Sequence, residues 1–86
     1  MHGLMMDTPL LITEIMRFAE RNFAEREVVS VTFDNPRHRT HLGEVFRRAR
    51  KLANALQAAG VKQGDRVATL AWNDYRHLEM YYAVSC

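Results

Sequence analysis

Apolar positions recur along the chain with two different periods, and the changes between them mark out its elements. Over Ile12–Phe23, the residues Ile12, Ile15, Met16, Ala19 and Phe23 fall on one face of a helix, while Glu14, Arg17, Glu20 and Arg21 fall elsewhere. Thr13 stands where a hydroxyl can cap that helix, and an early acid with later arginines suits its dipole. The run Val28–Phe33 is rich in β-branched residues and partly alternates, which predicts a strand. Asp34-Asn35-Pro36-Arg37 reads as a turn, because proline holds Asn35 out of the helical region and Asp34 can bond nearby backbone amides. Arg39-Thr40-His41 then predicts a short returning strand, completing a hairpin.

The longest periodic stretch runs from Leu42 to Ala59. Leu42, Val45, Phe46, Ala49, Leu52, Ala53, Leu56 and Ala59 repeat at three-and-four spacing and form one buried stripe. Gly60 follows where a left-handed C-terminal cap is needed, and Val61 is placed to fold back over the last turn. Lys62-Gln63-Gly64-Asp65 supplies a turn. Val67–Trp72 is then a nearly continuous apolar run of strand type, predicted to be covered on both faces. Helix, strand, helix in that order implies a parallel sheet with helices on its two sides, so the fold class is α/β. Asn73 or Asp74 caps a last helix from Tyr75, which becomes apolar nearly all round from Met80 to Cys86. No glycine, proline or polar cap follows, so this helix is expected to continue in, and pack against, polypeptide beyond this stretch.

Composition narrows the class of partner. Hydrophobic residues make up 48% and charged residues 26% of the 86 residues, the balance of a globular rather than a disordered chain. Twelve Lys+Arg against ten Asp+Glu give +2, too little to imply a polyanionic partner unless the charge is clustered. The single cysteine, Cys86, cannot form an internal disulfide, so a cytoplasmic setting is the default. The stretch from Met1 to Met16 lacks a cationic leader and is interrupted by Asp7, Pro9 and Glu14, unlike a signal peptide. No run reaches the roughly 18 apolar residues of a membrane-spanning helix.

The residues that could carry chemistry have simpler explanations. Of His2, His38, His41 and His77, only His38 and His41 are close in sequence, and one terminal cysteine cannot complete a structural zinc set, so all four are read as surface residues. Arg47, Arg48, Arg50 and Lys51 form the densest basic cluster, but they occupy the flanks left by the apolar stripe and read as a solvated face, not a nucleic-acid site. Trp72, Tyr75, Tyr81 and Tyr82 are read as packing residues and Cys86 as a small buried hydrophobe. Gly3, Gly43, Gly60 and Gly64 never gather into a phosphate-cradling loop. Asp65 and Asp74 are ordinary turn and cap residues. No catalytic, cofactor-binding or metal-binding residue is assigned.

Leu52-Ala53-Asn54-Ala55-Leu56, followed by Gly60-Val61 and Gly64-Asp65-Arg66-Val67-Ala68, resembles the helix, turn and first core strand of the adenylate-forming acyl-CoA synthetases. Ala24–Ser30 is similar to that family's entry into its first strand. Trp72–Glu79, with Tyr82-Ala83-Val84, resembles the fatty-acid and medium-chain acyl-CoA ligases in particular. The resemblance covers nearly the whole chain. It implies that residues 1–86 are the N-terminal portion of the family's large domain, with the order helix-hairpin-helix-strand-helix. It further implies carboxylate activation by ATP to an acyl-adenylate, then thioester formation with CoA, assisted by Mg2+. Fatty acid, ATP and CoA are thus the substrates expected of the full-length enzyme, with oligomerisation left open.

The family's phosphate loop, ribose-binding acid, hinge and catalytic lysine match no position here, so this stretch is expected to bind no cofactor and to be inactive alone. His41-Leu42-Gly43 departs from the family, where an aromatic-containing segment is common. Gly43 early in a helix costs up to about 1 kcal/mol relative to alanine. The contrasting reading is a free-standing interaction module that docks a partner protein through its apolar last helix.

Overall fold

A computed structural model describes residues 3–4 and 6–86, and in it Val45 and Phe46 are completely excluded from solvent. Both lie on α2 (Leu42–Ala58), the helix that carries the apolar stripe. Met16 of α1 (Ile12–Phe23) closes the cluster from one side. Leu78 and Tyr82 of α3 (Tyr75–Ser85) pack from another, with Ala19, Val28 and Leu42 at the margins. Phe46 and Tyr82 meet edge to face at 5.1 Å between ring centroids. Two short strands, β1 (Glu27–Ser30) and β2 (His38–His41), pair antiparallel, with Glu27 opposite His41 and Ser30 opposite His38. The architecture is therefore mixed α and β, ordered α1-β1-β2-α2-α3.

The ends of α2 show two ways of satisfying the backbone groups a helix leaves unpaired. His41 offers no side-chain cap. Instead the Leu42 and Gly43 N–H groups donate to the Arg26 and Ala24 carbonyls, both at 2.9 Å. A Cβ on Gly43 would lie 3.3 Å from that Ala24 oxygen, so the glycine admits the close approach of the α1–β1 connection. That contact offsets the helix-propensity cost expected from the sequence. At the other end Gly60, at φ 99°, follows the Ala59 cap. Gly60 N–H donates to Gln57 and Val61 N–H to Leu56, both at 3.1 Å, the paired bonds of a left-handed helix stop.

Several sequence expectations are corrected. Helix α1 begins at Ile12 with Leu11 as its flanking residue and no side-chain cap, so Thr13 sits inside the first turn. Its buried face is narrower than the periodicity implies, because Met16 and Ala19 reach α2 while Ile15 is 60% exposed. The strand expected over Val28–Phe33 stops at Ser30. Beyond it the Thr32 hydroxyl lies 2.8 Å from both Asp34 Oδ1 and the Asn35 carbonyl, and accepts the Asn35 N–H at 2.9 Å. These bonds turn the chain before pairing can continue. The returning strand starts one residue early, at His38, and α2 ends at Ala58.

The largest departure is Val67–Trp72, which belongs to no sheet in the described residues. Leu70 is fully exposed and Trp72 is 77% exposed, so the expected cover on both faces is missing. A parallel strand needs neighbours distant in sequence, and the only sheet among the described residues is the local hairpin. The open segment contributes to a radius of gyration of 15.3 Å, against about 12 Å for a fully compact chain of this length.

Two ion pairs tie the outer helices to α2. Arg48 Nε donates to Glu79 Oε1 at 2.6 Å across α2 and α3, and Glu79 is almost wholly buried. Arg50 donates to both carboxylate oxygens of Glu20 on α1 through its two terminal guanidinium nitrogens, the Nη2–Oε1 contact being 2.9 Å. The guanidinium holds the Glu20 carboxyl below its usual range. The expected solvated basic face is observed, since Arg47, Arg48, Arg50 and Lys51 are all exposed, but Arg48 and Arg50 also reach from it to carboxylates on the neighbouring helices, while Arg47 pairs with Glu44 on its own helix.

Phe46→Ala should lower stability by about 3–5 kcal/mol, a large part of what a domain of this size has, and broaden or abolish its cooperative thermal transition by circular dichroism. Arg48→Ala leaves the Glu79 carboxylate buried without its partner and should cost about 1–3 kcal/mol by urea denaturation, while Lys51→Ala should cost under about 0.5 kcal/mol. Because the folded-state pKa of Glu20 is depressed, its pairing contributes fully above the unfolded value and is lost as pH falls through the folded one. Melting temperature should therefore fall less steeply below pH 4.5 in Glu20→Gln than in the parent chain. Equal acid slopes would remove the Glu20–Arg50 pair from the account.

Candidate functional site

The densest gathering of polar and aromatic groups surrounds Tyr75, where α3 starts. Asp74, in extended backbone, accepts N–H bonds from Arg76 at 2.9 Å and His77 at 3.3 Å, and so caps the helix that Asn73 was equally placed to cap. The cap fixes Tyr75 pointing inward, where it is 8% exposed. The His38 ring stacks on it at 3.9 Å with the planes 8° apart. The guanidinium carbons of Arg76 and Arg48 stand 5.2 and 5.7 Å from the tyrosine centroid, within cation–π range. Arg48 is neutralised by Glu79, and Arg76 lies 4.0 Å from Asp34. The Thr32 hydroxyl first, then its own backbone N–H, holds the Asp34 carboxyl below its usual range.

This cluster fastens the hairpin to α3, and its chemistry stops there. His38 Nδ1 is buried without a hydrogen-bond partner, so no carboxylate orients the ring and no nucleophile faces it. The surface reading of His38 is thus corrected: stacking on Tyr75 half-buries it. His41 is exposed, and His2 lies outside the described residues. His77 Nε2 is 3.2 Å from Thr69 Oγ1, which gives a hydroxyl–imidazole contact with no third group to orient it. Among the described residues no three His, Cys, Asp or Glu side chains gather to hold a metal ion.

The remaining candidates separate in the same way. Tyr75 and Tyr82 pack as expected, and Tyr81 lies edge-on to Tyr82 at 5.3 Å while half exposed. Trp72 does not pack. Cys86 is exposed, not buried, because it follows α3 at the open edge of a cleft of about 340 Å³ lined by Met16, Arg50, Tyr82 and Ala83. Gly60 and Gly64 both have positive φ but serve separate turns, and Asp65 Oδ2 takes up the Lys62 N–H at 2.8 Å. They form no cradle for phosphate. Sequence reasoning missed the Arg48–Glu79 and Arg50–Glu20 pairs, whose partners are 31 and 30 residues apart. The one available signal was Glu79 itself, a lone acid on a face of α3 that is otherwise apolar.

No helix among the described residues is long and apolar enough to cross a membrane. Residues 17–85 match the family described as AMP-binding enzyme. The chain is 49% identical over 85 residues to a medium-chain-fatty-acid–CoA ligase of Ectopseudomonas oleovorans, and 46% identical over 85 residues to a 3-methylmercaptopropionyl-CoA ligase of Ruegeria lacuscaerulensis. It is 48% identical over 80 residues to a long-chain-fatty-acid–CoA ligase of Thermus thermophilus. These matches take in 99%, 99% and 93% of the chain but only 16%, 16% and 15% of the respective relatives. Matched along nearly all its length, this stretch of packed helices and hairpin belongs to the AMP-binding enzyme family, and the relatives it matches are acyl-CoA ligases.

Proposed function

We propose that these residues are a scaffold segment in the large domain of an ATP-dependent fatty-acyl-CoA ligase and are inactive by themselves. The observation that carries this reading is the 42–49% identity, over 93–99% of the chain, to four ligases whose names give three different acyl groups. A stretch that lined the acyl pocket would be expected to diverge with the acyl group. One built around Val45 and Phe46 answers only to packing. The contrasting reading, a free-standing interaction module, has no comparable support.

In the proposed reaction a carboxylate oxygen attacks the α-phosphorus of ATP and pyrophosphate leaves, giving an acyl-adenylate. The CoA sulfur then attacks the acyl carbon and AMP leaves. Adenylation is needed because a carboxylate is a poor acyl donor until one of its oxygens belongs to a good leaving group. Mg2+ supplies charge stabilisation for the phosphates when bound. Two observations support placing the phosphates and the metal elsewhere: Gly60 and Gly64 serve separate turns, and among the described residues no three His, Cys, Asp or Glu side chains gather. On this reading ATP, Mg2+ and CoA are held by the rest of the enzyme, and this chain's part is to hold the large domain's packing.

Two assays test the reading together. The purified chain, given ATP, Mg2+, CoA and a medium-chain fatty acid, should release no pyrophosphate above the protein-free rate. A chimera in which this chain replaces the matched stretch of the Ectopseudomonas oleovorans ligase should retain acyl-CoA formation within about tenfold of that parent, about 1.4 kcal/mol in the barrier. Enzyme-like turnover by the chain alone, or a well-folded chimera without activity, would defeat it.

A further inference from the structure

Helix α1 carries more apolar surface than α2 covers. Met16 and Ala19 face the core, while Leu11, Ile15 and Phe18 follow one another on the adjoining side and stand 52%, 60% and 56% exposed. Their spacing is four then three, and Asn22 extends it by four, the repeat along which one helix seats against another. Asn22 already donates through Nδ2 to the Phe18 carbonyl at 2.9 Å, so its amide is partly satisfied. Ala19 flanks this seam on the side turned to α2. Glu14 and Arg21, about two turns apart, flank it on the other side. Glu14 pairs with Arg17 at 2.9 Å in the open, and Arg21 has no carboxylate partner among the described residues. With Glu20 taken up by Arg50, the acid and arginines left on α1 nearly cancel, which disfavours an anionic lipid surface as the occupant of the seam.

We propose that this seam seats α1 of a second copy of the chain, the two helices running antiparallel. In that direction the edge bearing Glu14 and Arg21 meets the same edge of the partner, and each Glu14 comes opposite the partner's Arg21, twice by two-fold symmetry. A parallel copy would instead set that edge against the side already turned to α2. Ile15 and Phe18 face each other across the axis and lose their exposed surface to the contact. The stripe is therefore its own complement, both in the spacing of its apolar residues and in the signs of its flanking charges. About three helical turns on each side fall short of the roughly 1,200 Å2 at which standard interfaces begin, so the dimer is weak and forms as concentration rises. Pairing at α1 is independent of the reaction proposed above.

Sedimentation velocity of the chain should show a monomer–dimer equilibrium that moves to dimer with concentration. Ile15→Lys should weaken it by about tenfold or more while leaving the circular dichroism spectrum unchanged, because Ile15 is exposed in the monomer. The flanking charges decide the orientation. Arg21→Glu and Glu14→Arg, each alone, should weaken self-association by about threefold or more. Mixed in equal amounts, the two variants should form a heterodimer about as strong as the parent dimer, since both carboxylates of one chain then face arginines of the other. A monomer at ~1 mM chain, where even a weak contact is populated, would overturn the proposal and leave the seam to the rest of the enzyme. A dimer unaffected by Ile15→Lys would overturn it by placing the contact elsewhere, and charge variants that self-associate as well as they mix would overturn the antiparallel pairing. Binding of a strictly monomeric chain to phosphatidylglycerol vesicles would assign the seam to lipid instead. None of these results bears on the chimera assay, which tests the proposed function alone.

Discussion

The need to enclose Val45 and Phe46 organises this chain. They are consecutive residues of α2, pointing about 100° apart around the helix axis, and α1, α3 and the hairpin converge on them. Burying side chains of this size removes apolar surface worth about 1.5–3 kcal/mol apiece, the largest favourable contributions visible in so short a chain. The polar contacts follow from that convergence. Once α3 lies along α2, Glu79 is forced out of water and Arg48 must answer it; once α1 lies along α2, Arg50 can reach Glu20.

The same constraint explains what stays open. A chain of this length has one core's worth of apolar residues to spend on closure, and α2 uses them. The outward row Val29, Val31 and Phe33 on the hairpin side, and Leu70 and Trp72 beyond α2, are left facing solvent. They fall on elements that need strands from elsewhere, whereas the enclosed residues fall on helices, which satisfy their own backbone bonds.

Function was legible only through likeness. Leu52–Leu56, Gly60-Val61 and Gly64–Ala68 carry a recognisable order, and the match over residues 17–85 agrees with it. Yet those residues work as a helix face, a helix stop and a turn. Their chemistry is packing, and packing alone does not name a reaction. The Tyr75 cluster makes the same point from the other side: imidazole, phenol, two guanidiniums and two carboxylates come together, and every charge among them is answered within the cluster or left to solvent.

By itself the sequence determined what is local. The three-and-four repeat fixed α2, Gly60 fixed its end, Asn73 or Asp74 stood ready to cap α3, and Asp34-Asn35-Pro36 turned the hairpin, because each depends on dihedral preference or bonds within a few residues. Only the tertiary structure decided which side of α1 is buried, that Gly43 lies against Ala24, that His38 stacks on Tyr75, and that Arg48 and Arg50 bridge helices. It also decided that Val67–Trp72 joins no sheet among the described residues, which no local pattern can reveal. Strand pairing and cross-helix ion pairs are set by partners distant along the chain, and a pattern read over neighbouring residues carries no term for them.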